Sequence, residues 1–290
     1  MPFSKKPSFQ DQPSYSPMES IAGRLVVFPD DRRVDFSGSC VRLAGNLYLT
    51  AKHLIEDYLE KYGSGGTTIT LDFWIVHVFP GPEYEIWRVD RSWFSLTSDL
   101  AILHTVPLND TAGHPKTRNC AALSLQPPPI GSRITGFGYH GCTGIVRKDG
   151  EGTRHIEING RGAATVGEVR EIHRERRDNF RLNFPCFRAN ARFDGGMSGG
   201  PVINDQGRVC GIICSNLPPD ELDAEHTSYA ATLWPVMAIP INLGDDGVSI
   251  VAWYPVKRLA EKGIIHAQDY EKVYFLDETK SETALYREGS

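Results

Sequence analysis

The segment Gly196-Met197-Ser198-Gly199-Gly200-Pro201 limits what this chain can fold into more than any other. Glycine tolerates φ > 0 and lets the backbone come close to another group. A serine set among glycines can therefore sit in a sharp turn, with amide N–H groups aimed into the same small volume as its hydroxyl. That arrangement puts a nucleophile beside donors for a developing oxyanion. On the string alone, a glycine-rich hairpin turn carrying an ordinary surface serine is the default account. The two accounts differ in what they require elsewhere, because an attacking serine needs a base and a third group to orient that base.

Both partners are found upstream. Residues 47–53, LYLTAKH, read as a strand running into a small-residue turn, with His53 at the mouth of a short helical segment. Asp99 stands immediately before Leu100-Ala101-Ile102-Leu103, an apolar strand-like run in which a carboxylate can be buried and held by hydrogen bonds. The order along the chain is His53, Asp99, Ser198.

The motifs TAKH, DLAIL and GMSGGP resemble, in content and in order, the T-A-x-H, D-[LI]-A-[LI]-L and G-x-S-G-G-P motifs of the trypsin-like (chymotrypsin-fold) serine proteases, over residues 21–240. The resemblance implies an all-β fold of two six-stranded antiparallel barrels sharing a cleft, with a short helix after the catalytic histidine. It also implies a serine endopeptidase that works through an acyl-enzyme on a protein or peptide substrate, with no cofactor and no metal. Carried over residue by residue, Ser198 is the nucleophile, His53 the base and Asp99 its orienter, and the N–H groups of Gly196 and Ser198 form the oxyanion hole. Cys214, Ser215 and Asn216 match the segment that pairs with the substrate backbone, and Cys214 stands where many relatives have serine. Arg192, six positions before the serine, falls at the floor of the specificity pocket, and Thr227 falls on its closing strand.

Two expectations follow from that pattern. Met197 replaces the aspartate that receives a newly cut N-terminus in the digestive zymogens, so the chain is closer to the bacterial, Htr-like branch and should act without N-terminal processing. An inward Arg192 would bind a carboxylate, whereas an outward one would pair with Asp194. A binding module that kept the fold without catalysis, or an esterase with the same triad, would carry the same motifs.

A net charge of −5 argues against nucleic acid as a partner. No apolar run approaches the roughly 20 residues that span a bilayer, so no membrane partner is expected. Residues 1–20, MPFSKKPSFQDQPSYSPMES, hold no apolar stretch of the secretory kind and read as a disordered arm. The six cysteines Cys40, Cys120, Cys142, Cys186, Cys210 and Cys214 include no C-x-x-C pair, and read as free, mostly buried thiols of a cytoplasmic protein.

The remaining pattern divides the chain. Residues 21–120 form the first barrel with His53 and Asp99, 121–130 a linker stiffened by Pro127-Pro128-Pro129, 131–245 the second barrel with Ser198, and 246–290 a C-terminal helix and tail. Within the barrels, runs rich in β-branched and aromatic residues at 21–28, 36–43, 67–78, 84–93 and 100–106 read as strands, as do 130–139, 163–172, 180–187, 208–215 and 227–237. Apolar spacing over 54–62 predicts a helix, and Pro255 with Gly263 brackets another. His77 and His104 lie in strand-like runs and read as partnered structural histidines.

Overall fold

A computed structural model describes residues 8–11, 17–30, 33–63, 72–79, 84–109, 119–148, 154–217, 226–243, 253–275 and 284–287. After a short strand β1 (Ser8–Asp11), six strands close the first barrel: β2 (Ala22–Asp30), β3 (Arg33–Ala44), β4 (Leu47–Thr50), β5 (Asp72–Val78), β6 (Tyr84–Phe94) and β7 (Ala101–Pro107). They pair in the order β2-β3-β4-β7-β6-β5. The helix α1 (His53–Gly63) leaves β4 and buries Leu54 and Ile55.

The run from Leu25 to Phe28 does not alternate with polar residues because both faces of β2 are covered. Leu25 and Val27 point into the barrel core with Tyr48, Leu49, Ile75 and Trp87. Val26 and Phe28 pack outward on Val146, Ile156 and Ile158. Each fully buried side chain of this kind stabilises by roughly 1.5–3 kcal/mol. Inside the barrel, the Arg42 guanidinium pairs with Glu85 and donates to the Tyr48 hydroxyl at 2.8 Å, and the Trp87 indole N–H donates to Glu85 at 2.9 Å.

The next strands are β8 (Ala122–Ser124), β9 (Arg133–Lys148), β10 (Arg154–His173), β11 (Cys186–Ala189), β12 (Pro201–Asn204), β13 (Val209–Leu217) and β14 (Thr227–Thr232). All of these except β8 close a second ring of six antiparallel strands, β12-β9-β10-β11-β14-β13, through the pairing of β13 back onto β12. Beyond it come β15 (Pro240–Ile241), β16 (Tyr254–Pro255), the helix α2 (Lys257–Glu261), β17 (His266–Gln268), β18 (Val273–Phe275) and β19 (Ala284–Tyr286). The β9–β10 hairpin runs well past the second barrel, and its far part carries Val146, Ile156 and Ile158 to the outer face of β2.

Several sequence expectations are corrected. Two parts of the segment read as a disordered arm are ordered: β1 pairs with β10, and Pro17–Ser20 is a 3-10 turn whose Glu19 is buried against Arg24. Part of the stretch read as linker is β8, held in parallel register between β13 and β17 because Leu123 and Leu125 are buried. Residues 180–185 are not strand. The Asp178 carboxylate accepts the N–H groups of Phe180, Arg181 and Leu182 at 2.8, 2.8 and 3.1 Å, which curls the chain into a turn until β11 begins at Cys186. Pro235 ends β14 early by starting the 3-10 turn Trp234–Ala238. Among the described residues, the C-terminal segment carries a helix of only five residues, and within the stretch read as tail β18 pairs with β19. Residues 67–71, read as the start of a strand, lie outside the described residues.

Both strand histidines have partners. His77 is buried with its Nδ1 3.3 Å from the Glu19 carbonyl, and burial, with Arg42 nearby, holds its pKa well below the ordinary value. His104 lies 2.6 Å from Asp90 through Nδ1 and 2.7 Å from Asn46 through Nε2.

Candidate active site

His53 opens α1 immediately beyond the end of β4, so its backbone N–H has no helical partner and turns to a side chain. That side chain is Asp99, whose Oδ1 accepts the His53 N–H at 2.9 Å while Oδ2 lies 2.7 Å from Nδ1. The carboxylate thus grips one residue at two points and fixes the imidazole rotamer and tautomer. Asp99 itself is presented by a tight turn closed by the Ser95 N–H donating to the Leu100 carbonyl, and is only 8% exposed. Burial of the imidazole pulls the His53 pKa down. The hydrogen bond and the charge of Asp99, with Asp57 and Glu56 close by, outweigh burial and hold it above the ordinary 6.5.

The serine lies in the loop between β11 and β12. Gly196 and Gly199 take φ of +93° and +81°, a region that a side chain makes strained. The N–H groups of Met197, Gly199 and Gly200 are bonded to the carbonyls of Asp194, Ile213 and Met197. Among the described residues, those of Gly196 and Ser198 donate to no protein acceptor. Two free donors flanking a bonded one are what an incoming oxyanion requires.

This loop is built against the first barrel. Ser39 on β3 donates its N–H to the Ser198 carbonyl at 2.8 Å and its hydroxyl to the Gly196 carbonyl at 3.0 Å, and accepts the Tyr139 N–H at 3.0 Å. Thr50, three residues before His53, donates to the Ser39 carbonyl at 2.7 Å. Ser39 and Thr50 therefore tie the serine loop to the strand end that carries the histidine. Sequence reasoning did not single them out. Thr50 lay inside the TAKH motif without an assigned part, and the signal for Ser39 was the small run Ser37-Gly38-Ser39, since a Cβ on Gly38 would lie 2.8 Å from the Ser198 carbonyl oxygen.

A cleft of about 790 Å³ runs between the barrels, lined by His53, Asp99, Leu96, Arg181, Cys214 and Ser215 among others. Of the other residues assigned to substrate binding, Asn216 and Thr227 continue the β13–β14 ladder beyond it, opposite Ser228 and Leu217. The Cys214 thiol donates to the Tyr229 carbonyl at 3.3 Å; burial and the nearby Asp99 charge push its pKa far up, so it stays protonated. Arg192 takes the outward of its two directions. Its side chain is 45% exposed and grips Asp194 through Nε at 2.7 Å and Nη2 at 2.8 Å, because a guanidinium left unpaired inside would be costly.

Two six-stranded antiparallel barrels, one holding a histidine–aspartate pair and the other a glycine-flanked serine turn, define a trypsin-like peptidase. The sequence model of the trypsin-like peptidase domain matches residues 37–212, more than half of the chain. The chain belongs to that family and is a serine protease of the trypsin-like class. No curated protein matches it. Among solved structures it is similar to the active form of the Rv3671c protease from M. tuberculosis, at 17% identity over 81% of this chain and 90% of that one, with a TM-score of 0.46. It is also similar to the MamO protease domain from Magnetospirillum magneticum, at 13% identity over 74% of this chain and 93% of that one, with a TM-score of 0.43.

Proposed function

We propose that the protein is a serine endopeptidase that cleaves peptide bonds through His53, Asp99 and Ser198. Ser198 Oγ attacks the scissile carbonyl carbon while His53 takes its proton, and the oxyanion is received by the N–H groups of Gly196 and Ser198. The intermediate collapses with loss of the amine, which leaves with the proton from His53. Water then attacks the acyl-enzyme by the same route in reverse. The observation that carries this reading is the two-point grip of Asp99 on His53, tied through Thr50 and Ser39 to the serine loop and its two unengaged donors. The substrate is a protein or peptide laid along the cleft beside Ser215.

We extend the reading to limited cleavage of an intracellular protein partner in a reducing, cytoplasmic setting. Six free cysteines support it. Among the described residues, no helix is long and apolar enough to cross a membrane.

A fluorophosphonate probe followed by a peptide-library digest tests the reading. Labelling at Ser198 with cut peptides is the expected result. Labelling with ester turnover and no peptide cleavage would make the protein an esterase, and no labelling would make it a binding module on the same fold.

The pH dependence is a second expected outcome. Acylation needs neutral His53, so its rate rises with pH through an inflection above 6.5, in the direction that Asp99, Asp57 and Glu56 push the imidazole. In Asp99→Asn the hydrogen-bonded charge is gone and burial is left dominant, so an NMR titration of His53 should move to lower pH. A His53 titration unmoved or raised by Asp99→Asn would dismiss the pairing.

A further inference from the structure

The turn that carries Gly196 and Ser198 contains two adjacent glycines, Gly195 and Gly196. A Cβ added at Gly195 would meet nothing within 4 Å, so packing does not hold that residue, whereas one at Gly196 would meet Phe36 and the Tyr139 carbonyl oxygen at 2.8 Å, so only one side of the turn is held by contact. Glycine pairs are conformationally free, and the direction of the Gly196 N–H has to be fixed from outside. On one side Ser39 takes the Gly196 carbonyl. On the other stands Asp194, whose carbonyl accepts the Met197 N–H at 3.0 Å and whose N–H meets the Met197 sulfur at 3.3 Å.

Asp194 is held in turn by the paired hydrogen bonds from Arg192. An exposed ion pair is worth little on its own, because water competes for both partners. Here the guanidinium is covered on one face by the ring of Phe9, with its carbon 4.4 Å from the ring centroid. Phe9 belongs to β1, and its register partner on β10, Thr165, accepts the Arg192 backbone N–H at 3.2 Å. β1 is itself anchored: Asp11 meets His140 Nε2 at 2.8 Å and Arg161 at 3.2 Å, and the Phe9 ring stands edge-on to His140 at 5.4 Å.

We propose that Phe9 is a positioning residue for catalysis, fixing the serine loop through Arg192 and Asp194, so that the N-terminal strand is part of the working enzyme. This rests on the serine-peptidase reading and gives a working part to a segment that reads from the sequence as a disordered arm. The full chain is compared with Phe9→Ala, Phe9→Tyr, Arg192→Gln and the Phe9→Ala/Arg192→Gln double variant. Two readouts are taken: kcat and KM for p-nitrophenyl acetate, and hydrogen exchange of the peptide covering residues 193–200.

Phe9→Ala should lower kcat about tenfold, the equivalent of about 1.4 kcal/mol, with KM within about twofold and faster exchange in 193–200. Phe9→Tyr keeps the aromatic face and should restore both readouts. Because Phe9 and Arg192 act as one unit, the double variant should lose no more than either single one. Unchanged exchange in 193–200, kcat of Phe9→Ala within about twofold of the parent, or losses that multiply in the double variant would each overturn the proposal. Should Phe9→Ala not fold, Arg192→Gln with the same two readouts decides. A parent chain inert to both phosphonate and ester would sink the peptidase reading by itself, while the exchange comparison would still judge the strand's hold on the loop.

Discussion

Replacing Ser198 with alanine lowers hydrolysis of an activated ester or a cleavable peptide by at least about a thousandfold and leaves the folded state intact. The size follows from the role: without the hydroxyl no acyl-enzyme forms, and what remains is substrate binding and the oxyanion donors, which act on water alone. The side chain is small, and its loop is held by backbone bonds from Ser39, Ile213 and Asp194 that alanine keeps, so the melting temperature should move by no more than a few degrees. On the proposed mechanism serine, histidine and aspartate work as one unit, so adding His53→Ala or Asp99→Asn to Ser198→Ala should cost little more. Steady-state rates on the purified variants with a fluorophosphonate labelling control measure this. More than about one hundredth of the parent rate in Ser198→Ala would mean that the nucleophile lies elsewhere.

Gly199→Ala produces the second large loss, this time in folding. At φ of +81° a side chain is strained, and the added Cβ would lie 2.0 Å from the Ser39 carbonyl oxygen and 2.3 Å from Thr50 Oγ1. Neither neighbour can give way. The Ser39 oxygen is backbone that already accepts from Thr50, and its N–H holds the Ser198 carbonyl. Relief would have to part the serine loop from the first barrel where Ser39 and Thr50 hold it. The expected cost is at least about 4 kcal/mol, at the far end of what single substitutions do. A chain of this size should lose about 8–16 °C in its melting temperature. Gly207→Ala is the control: its φ is +76°, but nothing lies within 4 Å of the added atom, so only the smaller backbone strain is felt. Equal losses at both positions in thermal unfolding would mean that backbone strain, and not contact between the barrels, sets the cost.

The parts of this protein that were legible in its sequence are those whose causes are local. TAKH, DLAIL and GMSGGP each carry their turn, their strand and their reactive residue within a few positions. The first barrel's strands announce themselves through β-branched and aromatic runs, and α1 through the spacing of Leu54 and Ile55. What could not be read depends on distant partners. SFQD has no strand pattern of its own and becomes β1 only because β10 offers an open edge at residues 163–166. β8 borders a proline run and is a strand because Leu123 finds Val209 on one side and Ala267 on the other. Residues 180–185 look like strand by composition, yet one carboxylate, Asp178, takes three of their N–H groups. At the site, the two directions open to Arg192 were visible, but the ring that covers it comes from the segment that looked most dispensable.

The pairing of β1 with β10 also sets an order of events during synthesis. Asp11 and Arg161 are 150 residues apart in the chain, so the first strand leaves the ribosome long before its partner exists. Contacts of such long sequence separation form late, and at about 5–20 residues per second the wait is on the order of ten seconds. During that interval the first barrel can close, since its six strands are complete by Pro107, while the serine loop has not been made and Phe9 has nothing to rest on. β10 precedes the serine loop in the chain, so the first strand can return to residues 163–166 before residues 193–200 and the Ile213 carbonyl that bonds Gly199 have been made. A nascent chain halted before β10 would carry His53 and Asp99 on the first barrel and lack Ser198 altogether.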